Sequence, residues 1–255
     1  MHRPGLAREN GTVNQIRDVA AEGILLAGGA RAILLQLANP AVGRGVAEHS
    51  DFADRPLDRL TGTLTYLYVV MYGTPDEVRA VARRVGHAHT PVPGARDTDL
   101  QLWVAATLYD TTVRMHELVF GPLSGADSQR LLDRQSVIAT TLGVPRALWP
   151  ATPVAFAEYW AESSAALRVD APARAVAKAL LNPVAGPWWF RFLLPVVRTV
   201  TAALLTPDLC EAYGLAFEAR RFRRIVRVTR AVYPRLPGLI RHAPKRHYLR
   251  KFRRP

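Results

Sequence analysis

The sequence predicts an all-α fold, and three observations lead there. Apolar residues recur at helical spacing in several long stretches, while no strand pattern is strong. Runs with some strand character, such as Leu67-Tyr68-Val69-Val70-Met71, fit a buried helix equally well. The 19 prolines are dispersed as helix punctuation and gather into no linker. At 255 residues and 49% hydrophobic content, the chain is long enough for one sizeable core with helical additions. No internal repeat or low-complexity block divides it, so a single domain over 1–255 is expected.

Taken in order, Gly28-Gly29 reads as a helix break, without the remainder of a phosphate-binding loop. Residues 56–72 read as a helix with Leu60, Leu64, Leu67 and Met71 on one stripe, and Arg59, Thr63 and Tyr66 on another face. Residues 75–89 form a second helix, with Val78, Val81, Ala82 and Val85 at i, i+3, i+4 and i+7. It must stop at His89, because Pro91, Pro93 and Gly94 follow. Asp97, Thr98 or Asp99 then caps a long helix whose stripe is Leu100, Trp103, Val104, Thr107 and Leu108. Residues 186–205 come nearest to a membrane span, but Arg191, Pro195 and Arg198 interrupt them. A basic helix starts near Arg220, with Phe217, Phe222, Ile225 and Val226 as its apolar part.

His89 draws attention first. At about 100° per residue it lies within about 40° of Val85, on the inward stripe of its helix. A neutral imidazole aimed into a dry pocket suits an iron ligand; a satisfied core histidine is the structural alternative. His87, two positions earlier, points about 200° away and cannot share an ion with His89. Arg59 and Thr63, one turn apart, could approach one bound group, or instead pair with Asp51, Asp54 or Asp58 and with the helix backbone. Glu48-His49 offers a proton carrier or a helix-end cap. His116, His242 and His247 lack convergent partners and read as surface residues. Trp188, Trp189, Phe190 and Phe192 serve either as a packing seam, as a wall of an apolar channel, or as a peripheral membrane contact.

The formal charge of +13 is localised. Of 34 basic residues, 14 fall between Arg220 and Pro255, where no Asp or Glu occurs; the other 20 face all 21 acidic residues in 1–219. A neutral body argues against a nucleic-acid partner, and no nucleic-acid-binding motif accompanies the tail. The basic segment, 220–255, is expected to dock on the domain as a helix with a solvated face; contact with anionic membrane is the functional alternative. One cysteine, Cys210, excludes an internal disulfide and should pack as a small apolar residue. The N-terminus shows no signal-peptide pattern, so the cytoplasm is the expected compartment.

Several short motifs in fixed order carry a family resemblance. They are Gly28-Gly29-Ala30-Arg31, Gln36-Leu37-Ala38-Asn39-Pro40, Gly45-Val46-Ala47-Glu48-His49-Ser50, Arg59…Thr63, His89-Thr90-Pro91-Val92-Pro93-Gly94 and Asp99…Trp103-Val104. Leu205-Thr206-Pro207, Tyr213-Gly214-Leu215, Leu236-Pro237 and Ala243-Pro244 continue the series. Together the chain resembles the haem oxygenase family of latex-clearing protein (rubber oxygenase) and the fungal MpaB enzymes, over most of 14–244. The resemblance implies a globin-like helical core with additional N- and C-terminal helices, one b-type haem, and His89 as proximal ligand. It places Arg59 and Thr63 beside the haem, His49 on the distal side, and Arg31 and Trp103 among the cofactor-binding residues. It also implies oxidation of a small apolar organic substrate by dioxygen or peroxide, by C=C cleavage, hydroxylation or dehydrogenation. A haem sensor or carrier without turnover is the alternative, as is a membrane-peripheral interaction protein. The chain departs from the family at Gly62, where some members carry a lysine able to close the iron's distal side. Asn39 stands where many relatives have a histidine.

Overall fold

The computed structural model describes residues 19–49, 56–183 and 190–254. Asp51, Asp54, Trp188 and Trp189 lie outside them, as do the side chains of His49 and Phe190. Every regular element among the described residues is helical, as the sequence predicts. After a 3-10 turn at Gly23–Gly28, the α-helices are α1 (Gly29–Leu37), α2 (Pro40–His49), α3 (Pro56–Tyr72), α4 (Pro75–His89), α5 (Thr98–Phe120), α6 (Gly125–Thr140), α7 (Pro153–Ala165), α8 (Ala171–Leu181), α9 (Phe190–Leu204), α10 (Pro207–Tyr213), α11 (Ala219–Val232), α12 (Gly238–Arg241) and α13 (Ala243–Arg253).

Local signals set most of these ends. Thr74 and Glu77 close a reciprocal capping box at the start of α4, while Pro75 occupies the first helical turn. Asp97 caps α5 by accepting from the amides of Asp99 and Leu100 at 2.9 and 3.0 Å. Thr152, Asp170 and Thr206, each followed by a proline in the first turn or by one position, cap α7, α8 and α10. Gly214, at φ 66°, ends α10 in the left-handed region where a side chain would strain the backbone.

Among the described residues, two large apolar cores form, with a smaller cluster of Leu37, Ala173 and Val176 beside them. One joins α3, α5 and α6 through Tyr66, Val69, Ala106, Leu131 and Leu132, and extends to Trp149 and Phe156. The other packs α1 against α8, α9 and α10 around Leu34, Ala38, Leu181 and Leu209, with Trp103 of α5 reaching into it. Helix α5 therefore serves both. Gly28-Gly29, read as a helix break, is where the 3-10 turn passes into α1, and α5 crosses there. Both residues have helical φ and ψ, and a Cβ at Gly28 would lie 2.7 Å from Met115 Cγ and Thr111 Cγ2. Close approach of α5 is what requires glycine at position 28.

The basic tail is docked. Leu249 of α13 is buried, Tyr248 stacks on Tyr68 at 5.7 Å, and Lys245 lies 4.8 Å over the Tyr72 ring. Arg253 grips the carboxylate of Glu77 with two nitrogens at 2.7 and 3.2 Å, tying α13 to the first turn of α4. Two histidines expected at the surface are instead packed. His242 places Nε2 3.2 Å from Glu22, a buried carboxylate that also accepts from Tyr233 and pairs with Arg241. His116 is half-buried beside Phe120. His242 gains its neighbours from a segment distant in sequence, whereas His116 packs on Phe120 one turn along the same helix. Cys210 is buried, its thiol 3.2 Å from the Ala202 carbonyl. Among the described residues no single helix is long and apolar enough to cross a membrane.

Candidate functional site

Three segments converge at the C-terminal end of α4. The chain leaves that helix through a tight turn, with the Thr90 amide donating to His87 O and the Val92 amide to His89 O, each at 3.1 Å. Gly94, at φ 75°, completes the reversal. Arg96 folds back across it, donating to Gly86 O at 3.1 Å and to the Thr90 hydroxyl at 2.7 Å. Helix α2 passes alongside: a Cβ at Gly45 would meet Pro93 O and Val92 Cγ1 at 3.5 Å, an ordinary contact. One turn further on, His49 ends α2.

His89 sits at this junction, half-buried, as the last residue of α4. Loss of solvent depresses its pKa below the ordinary histidine value, and the positive charges of Arg59 and then Arg96 push in the same direction. The ring is therefore held neutral near pH 7, with a lone pair on one nitrogen. Arg59 lies on α3, which packs against α4, and its charge acts on the His89 ring. Arg59 and Thr63 are both exposed, and the Thr63 hydroxyl donates to Arg59 O at 3.1 Å. Its proton is thus committed to its own helix, leaving the oxygen lone pairs free to accept. Gly62 faces open space, and a recess of about 300 Å³ lies between Gly62, Arg84 of α4 and Lys251 and Phe252 of α13. His87 is exposed, as its helical angle requires.

Arg31 and Trp103 belong to a second cluster, organised around Trp160. Trp103 stacks on Trp160 at 5.3 Å and donates its indole N–H to Leu35 O at 3.3 Å. The Arg31 guanidinium lies 5.9 Å from the Trp160 ring centroid and is almost fully buried. Its Nη2 pairs with Asp110 at 2.6 Å, Nη1 donates to the Thr111 hydroxyl at 2.7 Å, and Nε donates to Leu204 O at 2.8 Å. Three of its five N–H groups are so engaged. Burial lowers its pKa, and Asp110 opposes that shift. A cavity of about 620 Å³ opens beside this pair, with Leu35, Trp160, Leu205 and Leu209 as apolar walls and Arg114 and Arg168 among its polar lining. Asp110, Thr111 and Trp160 were not singled out from the sequence. Their pairing with Arg31 spans about 80 positions or more, and no local spacing announces it.

Among the described residues, no group of three or more His, Cys, Asp or Glu side chains is arranged to hold a metal ion. A haem iron asks for a different donor set: one neutral imidazole from the protein, with the porphyrin supplying the equatorial nitrogens. His89 fits that requirement by its position at a helix end and by its neutral state, and Arg59 supplies the nearby positive charge that a haem carboxylate needs.

Comparison with known proteins places the chain in context. The family model described as "ER-bound oxygenase mpaB/B'/Rubber oxygenase, catalytic domain" matches residues 16–231. Uncharacterized proteins of Mycobacterium tuberculosis and Mycobacterium bovis are each 34% identical over 215 residues, covering 78% of this chain and 84% of the relative. No solved structure matches the chain.

Proposed function

Because the chain belongs to the mpaB/rubber oxygenase catalytic-domain family, we propose that it is a b-haem-dependent oxygenase acting on a small apolar organic substrate. Family membership supports oxygenase-type activity and, in general, a small-molecule substrate with dioxygen. The observation that supports the cofactor is the half-buried His89, its pKa lowered by burial and then by the charge of Arg59, at the convergence of α2, α3 and α4. The globin-like arrangement that the resemblance implies belongs to the same reading.

His89 is the iron ligand in this reading. Its ring stays unprotonated because water is partly excluded and two arginines oppose a third positive charge. Bound there, haem b supplies the redox chemistry by which dioxygen or peroxide oxidises carbon, whether by C=C cleavage, hydroxylation or dehydrogenation. Arg59 binds and orients a carboxylate of the cofactor or an oxygen of the reacting species through a charge-assisted hydrogen bond. Thr63 acts as an acceptor, since its proton is held by Arg59 O. His49, one turn beyond the contact of α2 with the 90–94 turn, is the proton carrier. Gly62 leaves the α3 surface open where a long side chain would close it. Arg31 and Trp103 contribute as scaffold, because the indole's single donor and most of the guanidinium's are committed to Leu35, Asp110, Thr111 and Leu204.

The test is spectroscopic. Protein purified from haem-replete cells is expected to show a Soret band, and His89→Ala to lose most of it while keeping its helical circular dichroism. A folded His89→Ala variant with an unchanged haem complement would remove the ligand assignment. Oxygen uptake dependent on an added apolar substrate then separates turnover from simple binding.

A further inference from the structure

We propose that the outward face of α11, with the adjoining corner at Leu239–Ile240, is a docking surface for an anionic lipid bilayer. Helix α11 carries Arg220, Arg221, Arg223, Arg224, Arg227 and Arg230 and no acidic residue. Its inward face, formed by Phe222, Ile225, Val226 and Thr229, is half-buried and turned toward α5 and α9. Arg230 fixes that orientation by donating to Leu118 O at 2.7 Å and Glu117 O at 3.4 Å, at the end of α5. The helix is thus already ordered and held, so meeting a surface costs little further ordering.

What it presents outward is mixed in a particular way. Arg223, Arg224 and Arg227 are exposed, and beside Arg224 stand Val228 and Val232, which are 57% and 52% exposed. At about 100° per residue, Arg224, Val228 and Val232 follow one line along the helix, spanning about 80°. The chain then turns through Arg235 to Leu239 and Ile240, exposed at 72% and 57%. Exposed aliphatic side chains among arginines gain most where an apolar phase and negative charge meet, and the headgroup–acyl boundary of an anionic membrane offers both.

The same chemistry disfavours other occupants. Nucleic acid would use the arginines but has no partner for Val228, Val232, Leu239 and Ile240, which lack the flat π-face on which bases stack. A second copy of this chain would set like charges against each other across a two-fold contact.

The experiment is co-sedimentation of the full chain with vesicles of phosphatidylcholine, with and without phosphatidylglycerol. Strong partition is expected only with the anionic vesicles. Arg223→Glu with Arg227→Glu should weaken it by more than about tenfold. Leu239→Ser with Ile240→Ser should weaken it by about tenfold, including at salt concentrations that screen exposed charge. Both pairs lie at exposed positions, and unchanged thermal midpoints would show that folding is intact. Equal partition to neutral vesicles, or insensitivity to the Leu239 and Ile240 changes, would overturn the proposal. So would tighter binding to duplex DNA than to vesicles, or lipid-free self-association abolished by the same substitutions. Sedimentation reads lipid contact whether or not haem is loaded, so its failure and that of the haem assignment are separable.

Discussion

A guanidinium taken out of water stays charged only if its neighbours replace what the water did. Arg31 meets that condition through Asp110, Thr111 and the free carbonyl of Leu204 at the end of α9. Asp110 is itself buried and also lies 3.6 Å from Arg114, so a single carboxylate balances one buried and one half-exposed cation. Removing one partner of such a pair leaves an uncompensated buried charge, whereas replacing both by apolar residues leaves none. Asp110→Ala is therefore expected to destabilise the fold by about 3–5 kcal/mol. Thr111→Val should cost about 1 kcal/mol. Arg31→Met combined with Asp110→Leu should recover most of the loss, and urea denaturation of the three variants checks the order. Sequence reading placed Arg31 beside a cofactor because the residue follows Gly28-Gly29-Ala30 in a family motif. The partner that defines its surroundings lies 79 positions away, and helical periodicity carries no information about that distance.

At the scale of elements, the sequence is most legible where punctuation is covalent. The bounds Pro56–Tyr72 and Pro75–His89 coincide with the sequence expectation because proline and glycine restrict the backbone at both sides of each helix. The Asp97 cap is legible for the same local reason. What one helix asks of another is not. Gly28 and Gly29 look alike in sequence, yet α5 crosses against only the first of them. Gly28→Ala should force Met115 and Thr111 apart and cost about 1–3 kcal/mol. Gly29→Ala meets nothing within 4 Å, at φ −57° and ψ −40°, and should stabilise by about 0.4–1 kcal/mol. Opposite shifts of the thermal midpoint in the two variants would check this, and equal shifts would refute it. The site divides along the same line. His89 and its helix end were readable from angle and punctuation, and its nearness to Arg59 follows from packing of α3 on α4. The packing of His242 is not legible in the sequence, since its partner Glu22 lies 220 positions away.

Across the whole molecule, ionisable groups are buried in forms that confine stability to a middle range of pH. Burial depresses the His116 pKa below its usual 6.5, and its Nδ1 has no hydrogen-bond partner among the described residues. The unfolded chain therefore takes up a proton near pH 6.5 that the folded chain resists. The stability attached to the neutral ring is complete above that pH and is lost as acid is added. Glu77 follows at lower pH: its hydrogen bonds from Arg253 and then from the Thr74 amide hold its pKa below 4.5. Protonating it weakens the Arg253 pair that ties α13 to the first turn of α4. At the other extreme, burial pushes Tyr109 up to about 12 and raises Tyr66, Tyr68, Tyr213 and Tyr233 as well. These phenols remain neutral in the folded chain while the unfolded chain ionises near pH 10, so their contribution is complete below pH 10 and falls above it. Several tyrosines act together on the alkaline side, against His116 and His89, both depressed by burial, on the acid side. The decline of stability with base should consequently be steeper than the first decline with acid. Urea midpoints measured from pH 4 to 11 test this. The acid limb of the His116→Phe variant should begin lower, nearer the range set by Glu77, and an unshifted limb would show that His116 does not control it.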